Sequence, residues 1–130
     1  LLSYQKPYMP VTEIYLQLQE QGANNINLVT PTHFLPQIVL SLEAARKQGL
    51  HIPVVYNTGS YESPDALRHL EGLVDIYLPD LKYFSAELSA AYSHAPDYFE
   101  TACAAIAEMY RLAGEERSDL LLHRSSWKFL

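Results

Sequence analysis

Ile52-Pro53-Val54-Val55-Tyr56, running into Asn57-Thr58-Gly59, is the stretch on which the fold turns. A short apolar run that stops at a turn-forming triplet reads as a strand of a buried parallel sheet. The same arrangement recurs on either side: Ile26–Thr30 leads into Pro31-Thr32-His33, and Val74–Leu78 leads into Pro79-Asp80-Leu81-Lys82. The three runs end roughly 25 residues apart, the repeat expected of consecutive βα units. Ligands of such sheets bind beyond the carboxyl ends of the strands, where the three polar segments lie.

The segments between the runs carry helical signals. Val11, Ile14, Tyr15 and Leu18 share one helical face before Gly22, and Leu35, Ile38, Val39 and Leu42 share another, with Pro36 in the first turn and Gly49 just past the end. Ser63-Pro64-Asp65 reads as an N-cap, a proline at N1 and an acid near the positive helix end, opening a short helix that stops at Gly72. Ser85 opens a further short helix that Pro96-Asp97 interrupts, and Asp97 with Glu100 resembles a capping box. Phe99, Ala102, Cys103, Ile106, Met109 and Tyr110 then fall on one face, which places Cys103 in the core, and Gly114 marks the end. Glu115–Leu130 has no clear period and reads as a short edge strand or an irregular tail.

Bulk properties bound the function. At 130 residues and 48% hydrophobic content the chain suits one globular domain, and a formal charge of −6 argues against binding a phosphate backbone, so no nucleic-acid partner is expected. No run approaches the roughly 20 apolar residues of a membrane span and no signal peptide is apparent; a cytoplasmic location without a membrane partner is the expectation. One cysteine, Cys103, allows neither an internal disulfide nor a self-contained Cys cluster.

The candidate site residues come from the strand ends. Asp80 and Lys82, two apart along an extended segment, point the same way and suit a zwitterion; a mutual salt bridge is the plain alternative. Asn57-Thr58-Gly59 offers oxygen donors and an open backbone for a hard cation, a carboxylate or a ribose, against an ordinary turn. His33, in Thr30-Pro31-Thr32-His33, stands at the third exit and is either a ligand contact or a loop and capping residue.

These residues, with Gly22–Phe34, Val54–Thr58 and Val74–Tyr83 in that order, resemble the radical S-adenosylmethionine proteins related to pyruvate formate-lyase activating enzyme, closest to a poorly characterised iron–sulfur branch. The resemblance runs from about Val11 to Gly114 and implies a partial parallel (βα) barrel of the radical S-adenosylmethionine type, with about three core strands and covering helices. It implies a [4Fe–4S] cluster and S-adenosylmethionine, cleaved reductively to a 5′-deoxyadenosyl radical, and for the parent enzyme a protein substrate and an electron donor such as flavodoxin or ferredoxin. It places Asp80 and Lys82 by the methionine moiety, and Asn57 and Thr58 where the family carries an Asp-Thr pair lining a monovalent-cation site; Asn57 removes one charge. Thr30, Thr32 and His33 stand where the family carries a Gly-Gly-Glu segment, from which this sequence departs.

The family's CxxxCxxC motif is missing, and the chain starts at Leu1 rather than methionine. The expectation is therefore an internal fragment, one partial domain over residues 1–130. Residues 1–10 are a remnant of the loop after the cysteine motif, 115–130 an irregular tail, and the cluster ligands lie outside the chain. Such a fragment alone is expected to be inactive. The rival readings are another βα-barrel enzyme, a lyase or hydrolase using Asp80, Lys82 and His33 directly, and a non-catalytic module that binds a nucleotide or a partner.

Overall fold

The computed structural model describes residues 10–29, 31–83 and 85–124, with residues 115–124 as backbone. Its elements follow in chain order as α1 (Val11–Glu20), β1 (Ile26–Val29), α2 (Leu35–Lys47), β2 (Val54–Thr58), α3 (Pro64–Leu67), β3 (Ile76–Pro79), α4 (Ala86–Ser93) and α5 (Tyr98–Arg124). Short 3₁₀ turns at Thr32–Phe34 and Arg68–Leu70 precede α2 and follow α3.

The three strands form one parallel sheet in the order β1-β2-β3, with Leu28 beside Tyr56 and Tyr56 beside Tyr77. Alternation along each strand puts Ile26, Leu28, Val54, Tyr56 and Tyr77 on one face. That face meets the helices and makes the main core with Leu42, Ala45, Leu67, Leu70 and Met109. The opposite face carries Asn27, Val29, Val55, Asn57, Ile76 and Leu78. Val29 there is 66% exposed. The expected partial (βα) barrel is corrected accordingly: among the described residues β1 and β3 each pair on one side only, and the sheet is open with flanking helices. Closing a barrel filled by its own side chains takes about eight strands with a matching tilt and stagger, and three turn through too little of the arc.

Local signals position the helices as the sequence indicates. Ser63 Oγ accepts the Ala66 N–H, Ser85 Oγ accepts the Leu88 N–H at 3.1 Å, and Pro36 sits in the first turn of α2. Gly49, with φ of 107°, follows α2 in a backbone conformation that side chains other than glycine disfavour.

Which face each helix buries differs from the periodicity. In α1 only Tyr15 is buried, while Val11, Ile14 and Leu18 are partly exposed; Leu16 packs against the core. Gln19 then braces the α2–β2 connection, its amide nitrogen donating to Gly49 O at 3.0 Å and its oxygen accepting the N–H groups of His51 and Ile52. In α5 the buried apolar residues are Tyr98, Ala102, Ala105, Met109 and Ala113, whereas Phe99 and Tyr110 face outward. Cys103 is exposed, not core as the periodicity suggested. Small side chains let α5 lie close to its neighbours β3 and α3, so the alanine face wins over the bulkier one. Asp97 uses its carboxylate to accept from Tyr61 at 2.8 Å and from Thr101 at 3.3 Å. Gly114 breaks α5 with φ of 77° and ψ of 170°, and beyond it the backbone is helical to Arg124, where an edge strand or irregular tail was expected. Residues 1–9 of the expected loop remnant, and 125–130 of the tail, lie outside the described residues.

At the amino ends of the strands Arg46 forms a hub. Its guanidinium donates to the carbonyls of Leu50, Ile52 and Leu73 and, at 2.7 Å, to Asp75, whose carboxylate also accepts the Val54 N–H at 2.9 Å. One side chain thus joins the end of α2 to the entrances of β2 and β3. The opposite, carboxyl ends of the strands are left for the polar segments.

Candidate functional site

The last two residues of β2 point to opposite faces of the sheet, as adjacent strand residues must. Asn57 faces the side away from the main core. Thr58 faces the core side and is almost wholly buried, its hydroxyl donating to Glu62 and accepting the Ser60 N–H at 3.0 Å. Both hydrogen-bonding roles of Thr58 are therefore taken within the protein. Glu62 closes the network: its carboxylate, 5% exposed as a residue, also accepts the Tyr56 hydroxyl at 2.6 Å. Burial, and then the Glu62 carboxylate, hold the Tyr56 phenol far above its usual range, so it remains a donor. The turn that brings Glu62 back carries Ser60 at φ 72°, a left-handed conformation uncommon outside glycine, with its hydroxyl buried and unpartnered.

Past β3, Asp80 continues the ladder with its N–H bonded to Thr58 O at 2.9 Å. Leu81 is buried in a second apolar cluster with Ala95, Tyr98 and Ala102, which leaves Asp80 and Lys82 on either side of it. Both line one cavity of about 510 Å³ beyond the strand ends, together with Asn57, Thr58, Gly59 and His33. No salt bridge joins Asp80 to Lys82 among the described residues. The Lys82 chain instead lies over Gly59, where an added Cβ would come within 3.3 Å of Cε and 3.4 Å of Nζ. Glycine is what lets the ammonium rest against the β2 exit.

Tyr98, at the start of α5, ties these exits together. Its oxygen accepts the Lys82 N–H at 2.9 Å, and its proton lies within reach of the carbonyls of Gly59 at 2.6 Å and Asp80 at 3.1 Å. Burial pushes the pKa of this phenol up, which keeps it protonated for that role. Tyr61 stacks on Tyr98 with ring centres 5.9 Å apart, and Tyr83 meets it edge-on at 5.5 Å. All three rings border the cavity.

The structure thus brings Thr32, His33, Asn57, Thr58, Asp80 and Lys82 to one cavity, while Thr30 lies outside the described residues. His33 and Lys82 are exposed, and Asn57 and Asp80 half-buried. Sequence reasoning missed Glu62, Tyr61 and Tyr98. Glu62 had a faint signal, an acid just beyond a strand whose Tyr56 and Thr58 share a face. Tyr98 had none, being 39 residues from the Gly59 carbonyl it holds.

The residues present do not fit an iron–sulfur cluster. Among the described residues no group of three or more His, Cys, Asp and Glu side chains could hold a metal ion, and Cys103 stands by itself on α5. A [4Fe–4S] cluster in this class takes three thiolates from the protein. With an open three-stranded sheet and one cysteine, the expectation of a radical S-adenosylmethionine enzyme domain, its cluster and its S-adenosylmethionine cleavage is corrected to a small α/β domain without that machinery. Among the described residues no helix is long and apolar enough to cross a membrane.

Comparison with known proteins adds one relative. The chain is 34% identical over 80 residues to an uncharacterised protein of Methanocaldococcus jannaschii, a match that covers 60% of this chain and 23% of that protein. The chain thus spans about a quarter of that relative's length. No family model and no solved structure matches.

Proposed function

We propose that this chain is a ligand-binding α/β module whose cavity at the strand ends takes a small molecule bearing both an ammonium and a carboxylate, an amino-acid-type zwitterion. The observation that carries this reading is the pair Asp80 and Lys82, of opposite charge, lining one cavity without bonding to each other. Asp80 is the natural partner of a ligand ammonium and Lys82 of a carboxylate, and charge-assisted hydrogen bonds are the stronger kind. Asn57 adds a neutral amide able to donate and accept, and Tyr98 sets the spacing by pinning the backbone at Gly59, Asp80 and Lys82. A nucleotide is the competing ligand class. Lys82 suits a phosphate but Asp80 repels one, which favours the zwitterion.

Calorimetric titration with the free amino acids, adenosine and AMP tests the assignment. Amino-acid binding is expected, weakened about ten- to a hundredfold in Asp80→Ala and in Lys82→Ala, the usual consequence of losing a charge-assisted contact. AMP binding that survives Asp80→Ala would move the proposal to a nucleotide module. Equal affinity in the wild type and both variants would remove these residues from the site.

A further inference from the structure

We infer that a second site adjoins the strand-end cavity on the flank of the domain, sharing Thr32 and Tyr61 with it: a groove of about 700 Å³ between α2 and α3 that takes a small organic cation with an apolar body, its ammonium directed at Glu62. The walls are mostly apolar, from Leu35, Val39 and Leu40 on α2 and Ala66 on α3, with Tyr61 and His69 also in the lining. Glu62 is part of the lining, although the residue is 95% buried, at 5% exposure.

An acidic residue is an odd constituent of a mostly apolar groove. The two Glu62 oxygens each accept one hydroxyl, from Tyr56 and Thr58, whereas a carboxylate has about four acceptor sites. Two are left over. No Lys, Arg or His forms a salt bridge with Glu62 among the described residues. A buried anion without a cation is costly, and one arriving with a ligand offsets that cost where water is largely excluded. A neutral or anionic ligand would not, so charge complementarity selects the occupant. The groove wall is also preset: Tyr61 is held by its hydrogen bond to Asp97 and by its stack on Tyr98, which leaves the ring to meet a cation or an apolar body.

The experiment titrates 2-phenylethylammonium into the full chain, with 2-phenylethanol and 3-phenylpropionate as matched neutral and anionic probes. Saturable binding of the ammonium is expected, at least about tenfold tighter than the alcohol, with no binding of the carboxylate. Glu62→Gln is expected to erase the preference of ammonium over alcohol. Ala66→Phe, which puts a ring into the groove and removes none of the hydrogen-bonding groups around Glu62, is expected to abolish binding of both. The comparison of the three probes on the unaltered chain stands even where Glu62→Gln fails to fold. Equal affinity for ammonium and alcohol, or no binding of the ammonium, would overturn the inference.

Discussion

Tyr56→Ala is expected to cost about 3–5 kcal/mol of folding stability, a large fraction of the total for a domain of this size. Tyr56 occupies the middle of the central strand, has no exposed surface, and sits with its ring 6.0 Å from that of Tyr77. Truncation opens a cavity under β2, the strand paired on both sides, where the backbone has little freedom to collapse. It also removes the hydroxyl that donates to Glu62, leaving a buried carboxylate with one donor fewer. Two conservative variants separate the contributions. Tyr56→Phe keeps the ring and is expected to cost about 1–3 kcal/mol through the lost hydroxyl. Tyr77→Phe is expected to be neutral or stabilising, because the Tyr77 hydroxyl is buried with no partner to lose. Urea denaturation of the three variants checks the order. A larger loss for Tyr77→Phe than for Tyr56→Phe would contradict the network.

Arg46→Met, which keeps the apolar stem and removes the guanidinium, is expected to cost about 2–3 kcal/mol. Four acceptors lose a donor at once: the carbonyls of Leu50, Ile52 and Leu73, and the Asp75 carboxylate. The side chains of Arg46 and Asp75 remain 23% and 26% exposed, so water reaches them and the cost stays below that of breaking a fully buried pair. The double variant with Asp75→Asn should cost less than the sum of the two single changes, since the two side chains bond directly to each other. Thermal and chemical unfolding of the single and double variants measures the coupling. A cost for Arg46→Met within the few tenths of an ordinary surface substitution would show that the hub does not hold the strand entrances.

The two ends of the sheet differ in what their charges do. At the amino ends Arg46 and Asp75 are bonded to each other and to the backbone, which is a structural use. At the carboxyl ends Asp80 and Lys82 line a cavity and are not joined by a salt bridge. From sequence the second pair was easy to find and the first was not, since Asp80 and Lys82 are two residues apart while Arg46 and Asp75 are 29 apart.

Local signals settled much of this protein. The three strands, the capping serines at 63 and 85, Pro36 in the first turn of α2, Gly49 past its end and the break at Gly114 are all encoded within a few neighbouring residues. So was the gathering of Thr32, His33, Asn57, Thr58, Asp80 and Lys82 at one end, because a parallel sheet sends every strand exit the same way. Tertiary structure alone decided the rest. Helical periodicity marks a stripe but not the partner, and where alanines compete with larger residues, as on α5, the closeness of packing chose the face and turned Cys103 outward. Thr58 looked like a ligand donor and became a structural one because Glu62 folds back onto it through the strained Ser60 turn. The openness of the sheet, and the Tyr98 hydroxyl that holds Gly59, Asp80 and Lys82 together, arise from contacts between residues far apart in the chain, and no local pattern of residue types records such contacts.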